Sequence, residues 1–220
     1  MPPNNVLTAV IDQQERIPFT FERLPTVTRK LRTGDYSNNV LTAVIDQQER
    51  IPFTFERLPT VTRKLRTGDY SLVGYEHLIG IERKKLDDLL GCIPDTPHQR
   101  QRFEREIMDL VSKPFHMLVI EATLSMIARK YEYCAFCGAT GTVPTKEGGR
   151  RTCFKCAGQR VVPWRNKVHP NAVIGTLIAW QARYKLRIIY GGRHAECGRY
   201  VESSLEKAAA EFRKTLGVKL

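Results

Sequence analysis

Residues 68–88 read GDYSLVGYEHLIGIERKKLDD, and this stretch decides the fold. Two short apolar, β-prone runs, residues 70–75 and 78–81, flank Glu76-His77. That pattern predicts a hairpin with acidic and basic groups at its mouth. With the second strand continued through Lys84, the period of two puts Glu82 and Lys84 on one face. Asp69, at the start of the partner strand, can then face them. Two carboxylates and a lysine converging on a strand end suit a hard divalent cation and an activated water. A surface salt bridge is the plainer reading of either fragment; the whole spacing is the more specific signal.

Upstream, residues 4–37 (NNVLTAVIDQQERIPFTFERLPTVTRKLRTGDYS) recur without a change as residues 38–71. Solenoid repeats diverge and need about three units to bury a core, so two identical copies read as a recent duplication or an error in assembling the gene. Only the second copy runs into the hairpin, and it is expected to take the structural slot. Residues 1–37 are then an appended segment, a swapped element or poorly ordered chain, and Asp12, Glu15 and Asp35 are assigned no chemistry unless the first copy displaces the second. Within the second copy, residues 40–45 (VLTAVI) form an apolar strand ending at Asp46, followed by a polar loop holding Glu49. Pro52 rules out a helix there. Residues 61–65 are a strand or short helix carrying Arg63 and Lys64, with Arg66 just beyond. Asp46 and Glu49 read either as members of the site or as turn carboxylates.

Downstream, residues 85–90 (KLDDLL) open a helix, with Asp88 placed to face the positive end of its dipole. Residues 99–111 form an amphipathic helix with Phe103, Ile107, Leu110 and Val111 as its apolar stripe. Arg100, Arg102 and Arg105 project elsewhere, as a solvated face or as phosphate contacts. Residues 115–121 (FHMLVIE) are a strand apolar on both faces, ending at Glu121. A buried helix over 172–184, a strand over 186–190 and an amphipathic helix over 196–216 follow. His169, ahead of them, reads as a structural loop residue or a phosphate contact. This order predicts an α/β fold, a mixed sheet flanked by helices.

Cys134-x-x-Cys137, fifteen intervening residues and Cys153-x-x-Cys156 interrupt that order. Paired thiolates at this spacing suit tetrahedral Zn²⁺, with redox pairs or incidental cysteines as alternatives. Four protein ligands leave no open position, so such a zinc is structural. The glycines at 138, 141, 148, 149 and 158 fit the turns of a zinc ribbon over residues 132–163, and Lys146, Arg150, Arg151, Lys155 and Arg160 make it basic. Cys92 and Cys197 are expected as buried small hydrophobes.

The net charge of +12 and pI near 9.6 favour a polyanionic partner, most simply nucleic acid, through counterion release. No apolar run approaches the ~20 residues of a membrane span, and the N-terminus lacks a secretory pattern. The expected location is cytoplasmic, nucleoid-associated in a prokaryote or phage, with reduced cysteines.

Gly68-Asp69, Glu82-Arg83-Lys84 and Asp88 together resemble the motif of the XPF-type structure-specific endonucleases, a branch of the restriction-endonuclease-like nucleases. Asp46-Gln47-Gln48-Glu49 resembles that family's Asp-x-Arg-Glu, with Gln48 departing from the usual arginine. Residues 102–106 resemble its Arg-rich helix, 118–121 its strand ending in Glu, and 169–177 the helix opening of its bacterial and phage-like members. The resemblance implies a nuclease domain over 38–131 and 164–220, with the four-cysteine ribbon as an insertion absent from the usual core.

The resemblance also implies roles. Asp69 and Glu82 would bind Mg²⁺ or Mn²⁺, with the Arg83 carbonyl as a further ligand. Lys84 would orient or activate the attacking water and stabilise transition-state charge. Asp46, Glu49 and Asp88 would support the site, and Arg83 would contact substrate or hold the site together. DNA contacts are expected from Arg63, Lys64, Arg66, Arg102, Arg105, Arg150 and Arg151. The reaction implied is phosphodiester hydrolysis near a branch, flap or fork, by a homodimer or beside a partner subunit. Tandem helix-hairpin-helix motifs usually follow this domain, and 220 residues end before them. Substrate gripping is therefore expected from the ribbon, a partner or the nuclease face. A non-catalytic DNA-binding scaffold and a zinc-ribbon adaptor are the competing readings, and the joint presence of Asp69, Glu82, Lys84 and Asp88 argues against the scaffold.

Overall fold

The computed structural model describes residues 9–11, 26–28, 41–94 and 97–215. The chain divides into two units, Met1–Val40 and Leu41–Leu220. In the first, β1 (Ala9–Ile11) and β2 (Thr26–Thr28) pair in parallel, Ala9 opposite Thr26. In the second, β3 (Ala43–Asp46) and β4 (Thr60–Arg63) pair in parallel, Ala43 opposite Thr60. The two pairings are the same residues of the repeat, so identical sequence has produced identical local pairing. The rest of the first copy, with Asp12, Glu15 and Asp35, lies outside the described residues, and so does the expectation that residues 1–37 are poorly ordered.

The larger unit continues with β5 (Tyr70–Leu72), β6 (Ile79–Lys85), α1 (Leu86–Cys92), α2 (Pro97–Val111) and β7 (Phe115–Glu121). After β7 come α3 (Leu124–Arg129), β8 (Tyr131–Tyr133), β9 (Thr142–Pro144), β10 (Arg150–Thr152) and β11 (Val161–Pro163). The chain closes with α4 (Pro170–Tyr184), β12 (Ile188–Tyr190) and α5 (His194–Thr215). Six strands form one mixed sheet in the order β12-β7-β6-β5-β3-β4. The pairs β12·β7, β7·β6 and β3·β4 are parallel, while β5 runs antiparallel to both β6 and β3. This is the α/β mixed sheet that the sequence predicts.

Strand β7 shows why helices must cover both faces. Leu118 and Ile120 join a core built from α1, α2 and α4, including Leu89, Phe103, Leu177 and Trp180. Met117 and Val119, pointing the other way, join Val201 and Leu205 of α5. An all-apolar strand thus reads as one buried on two sides.

Local differences from the sequence reading have local causes. Residues 61–65, ambiguous in sequence, contribute the edge strand β4. Helix α3 has no counterpart in the sequence reading because it is only six residues long; Thr123 Oγ1 caps it by accepting from Met126 N at 3.2 Å. His169 caps α4, its Nδ1 accepting from Asn171 N at 3.2 Å with Pro170 in the first helical position. That contact favours the structural reading of His169. Cys197 is fully buried as expected, whereas Cys92 is half-buried and places its thiol 3.3 Å from the Asp88 carbonyl.

The cysteine-bearing segment makes two antiparallel pairs, β8 with β11 and β9 with β10. It joins the core through Trp164, which packs in the α1–α2–α4 cluster and donates its backbone N–H to the Lys130 carbonyl at 2.9 Å.

Candidate active site

The strand register assembles a row of carboxylates. Ile45 lies opposite Tyr70, and Tyr70 lies opposite Ile81. One step along, Asp46, Asp69 and Glu82 therefore stand side by side on three adjacent strands, and Asp46 N donates to Asp69 O at 2.8 Å. Tyr70 and Ile81 point into the α5 core, so the alternation of side chains sends Asp69 and Glu82 to the opposite face, towards α2. Gly68 makes this approach possible. Its φ is +80°, and a Cβ there would meet the Ile81 carbonyl oxygen at 3.0 Å.

Asp69 Oδ2 accepts from Arg83 N at 2.7 Å, which fixes its orientation towards β6. Burial, followed by the neighbouring Glu82 charge, pushes its pKa up to about 8. Burial likewise raises Glu82, whose side chain is 14% exposed, although Lys84 acts in the other direction. Two partly dehydrated carboxylates, Asp69 raised by Glu82 and Glu82 raised by Glu106 and Glu49, form a site short of positive charge, which a divalent oxygen-seeking cation would supply. The donor chemistry thus fits Mg²⁺ or Mn²⁺.

Lys84 Nζ donates to Glu82 Oε1 at 2.7 Å, stands 3.9 Å from Glu106 Oε2 and sits 4.6 Å from the centre of the Phe103 ring. Burial works against its charge, but Glu82 and Glu106 outweigh burial and raise its pKa above the ordinary lysine value. It is a fixed cation between two strand carboxylates and the α2 face.

Arg83 faces the other way. Its guanidinium donates to Glu121 Oε1 at 2.5 Å, Glu49 Oε1 at 2.7 Å and the Ile51 carbonyl at 3.0 Å, and lies 5.2 Å from the centre of the Phe53 ring. His194 Nδ1 approaches the same Glu121 oxygen at 2.8 Å. With its side chain only 4% exposed, Arg83 ties the loop after β3, the end of β7 and the start of α5 together behind the carboxylate row. Of the two roles that the resemblance allowed it, the geometry favours holding the site together.

Asp46 and Glu49 are similarly engaged. Asp46 accepts from Gln48 N at 2.8 Å and from Leu65 N at 2.6 Å, one bond per oxygen. Glu49 accepts from Ile51 N at 3.1 Å as well as from Arg83. Both shape the loop that borders the row. Asp88, in the first turn of α1, is exposed and lines the same cleft, which encloses about 850 Å³. Lys64, Arg66 and Arg102 line it too, while Arg63 and Arg105 are exposed beyond it. Arg102 is shared with Glu106 at 3.4 Å, and Arg63 stands 4.0 Å from Glu76.

The cysteines converge separately. The ligand atoms of Cys134, Cys137, Cys153 and Cys156 all lie within 4.8 Å of one another, and all four are buried. Cys134 Sγ is 3.9 Å from Cys153 Sγ, and Cys137 Sγ is 3.7 Å from Cys156 Sγ. A tetrahedron with Zn–S bonds of ~2.3 Å has edges of roughly 3.8 Å, so the spacing fits zinc without rearrangement. Gly141 N donates to Cys137 Sγ at 3.3 Å, the contact expected of a metal-bound thiolate. Arg150 donates to Thr142 Oγ1 at 2.8 Å, whereas Arg151 is exposed.

Glu106 and His194 are the groups that the sequence reading left out. Glu106 follows Phe103 by three residues on α2, so helical spacing alone puts it beside that stripe. Nothing local marks His194, since it reaches Glu121 only through the packing of α5.

The profile of the ERCC4 domain matches residues 11–204. No curated protein matches the chain. Among solved structures, XPF from Aeropyrum pernix is similar at 14% identity with a TM-score of 0.49, over 79% of this chain and 69% of that one. XPF from Aeropyrum pernix in complex with DNA is similar at 14% identity with a TM-score of 0.50, over 77% of this chain and 66% of that one. The second likeness is one of fold, a helix-flanked mixed sheet. The match along most of the sequence places this chain in the ERCC4 domain family.

Proposed function

We propose that this chain is a divalent-metal-dependent DNA endonuclease that hydrolyses phosphodiester bonds near branches, flaps or forks. The observation that carries the reading is the placement of Asp69 and Glu82 on adjacent strands, with Lys84 bonded to Glu82, inside a cleft flanked by Lys64, Arg66 and Arg102. Asp69 and Glu82 would hold Mg²⁺ or Mn²⁺, with the Arg83 carbonyl as a further ligand. Such a cation, when bound, polarises the phosphate and makes a bound water more acidic.

Glu82 and Glu106 raise the Lys84 pKa above the ordinary lysine value, and Lys84 would clamp Glu82, orient or activate the attacking water and stabilise charge on the oxygens of the pentacovalent phosphorus. Asp46, Glu49 and Arg83 position the loop and strands behind the row, and Asp88 adds negative charge at the cleft wall. Lys64, Arg66 and Arg102 neutralise backbone phosphates, with Arg63, Arg105, Arg150 and Arg151 extending the basic surface. The nuclease domain comprises residues 38–131 and 164–220, the zinc ribbon 132–163, and residues 1–37 an appended copy. A homodimer or a partner subunit would complete the grip on branched DNA, and the setting is cytoplasmic or nucleoid-associated.

The decisive experiment presents flap, fork, nick and four-way-junction DNAs to the zinc-loaded protein with Mg²⁺ or Mn²⁺. Cleavage near the branch is expected. Tight binding with no cleavage of any substrate under either metal would replace this reading with that of a DNA-binding scaffold.

A further inference from the structure

The zinc module carries two phenylalanines where burial gives no reason for them. Phe136 lies between Cys134 and Cys137, and Phe154 between Cys153 and Cys156. Their relative exposures are 54% and 63%, the second being the highest of any large hydrophobic residue described. One exposed phenylalanine is ordinary. These two meet edge to face, with ring centres 4.7 Å apart and planes at 65°. Each lies between two cysteines of the cluster, so the cluster sets the backbone on both sides of each ring and brings the two rings together.

Its surroundings are cationic. Lys155 Nζ lies 5.5 Å from the centre of the Phe154 ring, and Arg151 and Arg160 are exposed on the same module. Residues 132–163 hold five basic residues (Lys146, Arg150, Arg151, Lys155, Arg160) against two acidic ones (Glu132, Glu147), a balance of +3. Four thiolates with one Zn²⁺ would take back two charges and leave +1. Charge alone is thus a modest contributor here, while two exposed aromatic rings beside a few cations match the chemistry by which proteins hold unpaired bases.

We propose that Phe136 and Phe154 form a stacking platform for an unpaired nucleobase, the single strand displaced at a DNA branch. This rests on the nuclease reading for its substrate, but it concerns binding rather than cleavage. An exposed aromatic ring stacks on any base and finds no exposed base face along an intact duplex. Lys155, beside the ring, is placed to meet the adjoining phosphate. The platform would thus supply structure selectivity without sequence selectivity, an element that the carboxylate cleft does not contain.

The test uses the full zinc-loaded chain without added Mg²⁺ or Mn²⁺, and a forked DNA with a 2-aminopurine-labelled single-stranded arm. For Phe136→Ala/Phe154→Ala, affinity for the fork should fall about tenfold while affinity for plain duplex and zinc content stay unchanged. Phe154→Trp, which keeps a larger ring face, should retain wild-type fork affinity and the quenching of 2-aminopurine. An abasic site at the contacted position should mimic the double alanine variant. Unchanged fork affinity and unchanged quenching in the double alanine variant overturn the proposal. So does a change confined to oligomeric state by sedimentation, which would make the pair a protein-docking surface. Cleavage of the same fork by wild type with Mg²⁺ is scored separately. Base stacking without cleavage would sink the nuclease reading and leave the platform standing.

Discussion

The chain holds two metal-suited centres of opposite construction. The four cysteines form a closed set, every ligand supplied by one short segment and all atoms within 4.8 Å of one another. The carboxylate row is open, its members drawn from β3, the residue before β5 and β6, with Asp46 already engaged by backbone N–H groups. A closed set saturates its ion and has nothing left for substrate. An open pair leaves positions for water and phosphate but needs a lysine and a pre-formed sheet to hold it. Removing the ion should therefore cost structure at the first centre and chemistry at the second.

The largest effect expected is on the module. In zinc-finger peptides, ion binding and folding are one event worth about 10–16 kcal/mol. Stripping zinc, or Cys153→Ser, should unfold residues 131–163, and hydrogen exchange should speed up there while β6 and β7 stay protected. The native protein should carry one equivalent of zinc; much less than one refutes the closed centre.

At the open centre the reciprocal holds. Asp69→Asn or Lys84→Ala should lower fork cleavage by roughly 10³-fold, about 4 kcal/mol of barrier, with circular dichroism unchanged. Full residual activity in both variants would break the comparison outright.

Behind that centre, Arg83→Ala should destabilise the fold by about 3–5 kcal/mol, because Glu49 and Glu121 lose the cation they are buried against. Urea midpoints measure it. A shift well under 1 kcal/mol would show that Arg83 contributes little to holding the sheet ends together.

Smaller again is the effect of pH. Asp69 sits at about 8 against an ordinary 3.8. The folded, ion-free protein therefore keeps a proton that the unfolded chain has released. The group favours the folded state most at pH below about 4, and this advantage shrinks as pH rises through 8. Mg²⁺ must displace that proton, so its affinity should climb about tenfold per pH unit up to 8 and then level off. Calorimetric titration from pH 6 to 9 checks the slope, and Asp69→Asn should flatten it. Zinc retention at the closed centre should be level over the same window. The least effect is that of Lys64→Ala/Arg66→Ala, which should reduce the salt slope of DNA binding by about 2.

Much of this was legible in the sequence because its signals are short-range. The hairpin, the all-apolar β7 and the paired cysteines each declare themselves within one short, continuous stretch of sequence. The α/β order follows from apolar strand runs alternating with helical stripes, and the pairing of Glu82 with Lys84 from period-two alternation. Other features depend on distant strands and could not be read locally. Asp46 reads equally as a site member or a turn carboxylate until Leu65 arrives to bond it, and His194 meets Glu121 only once α5 has docked. The part played by Arg83 was likewise open, since its partners come from positions 49, 51, 121 and 194.

Strand β6 does two jobs on two faces, and this makes the hairpin intolerant of changes in length. Glu82 and Lys84 face the cleft, while Ile81 and Arg83 face the interior. A single-residue deletion between Leu72 and Ile79 that shifted the pairing by one would exchange those sets. It would drive two charges into the α5 core and turn Arg83 outward among the cleft carboxylates. A point substitution at the site can spare the fold, but an insertion or deletion in this turn strikes activity and stability at once. Natural variation in this turn should therefore be confined to side chains, with its length fixed.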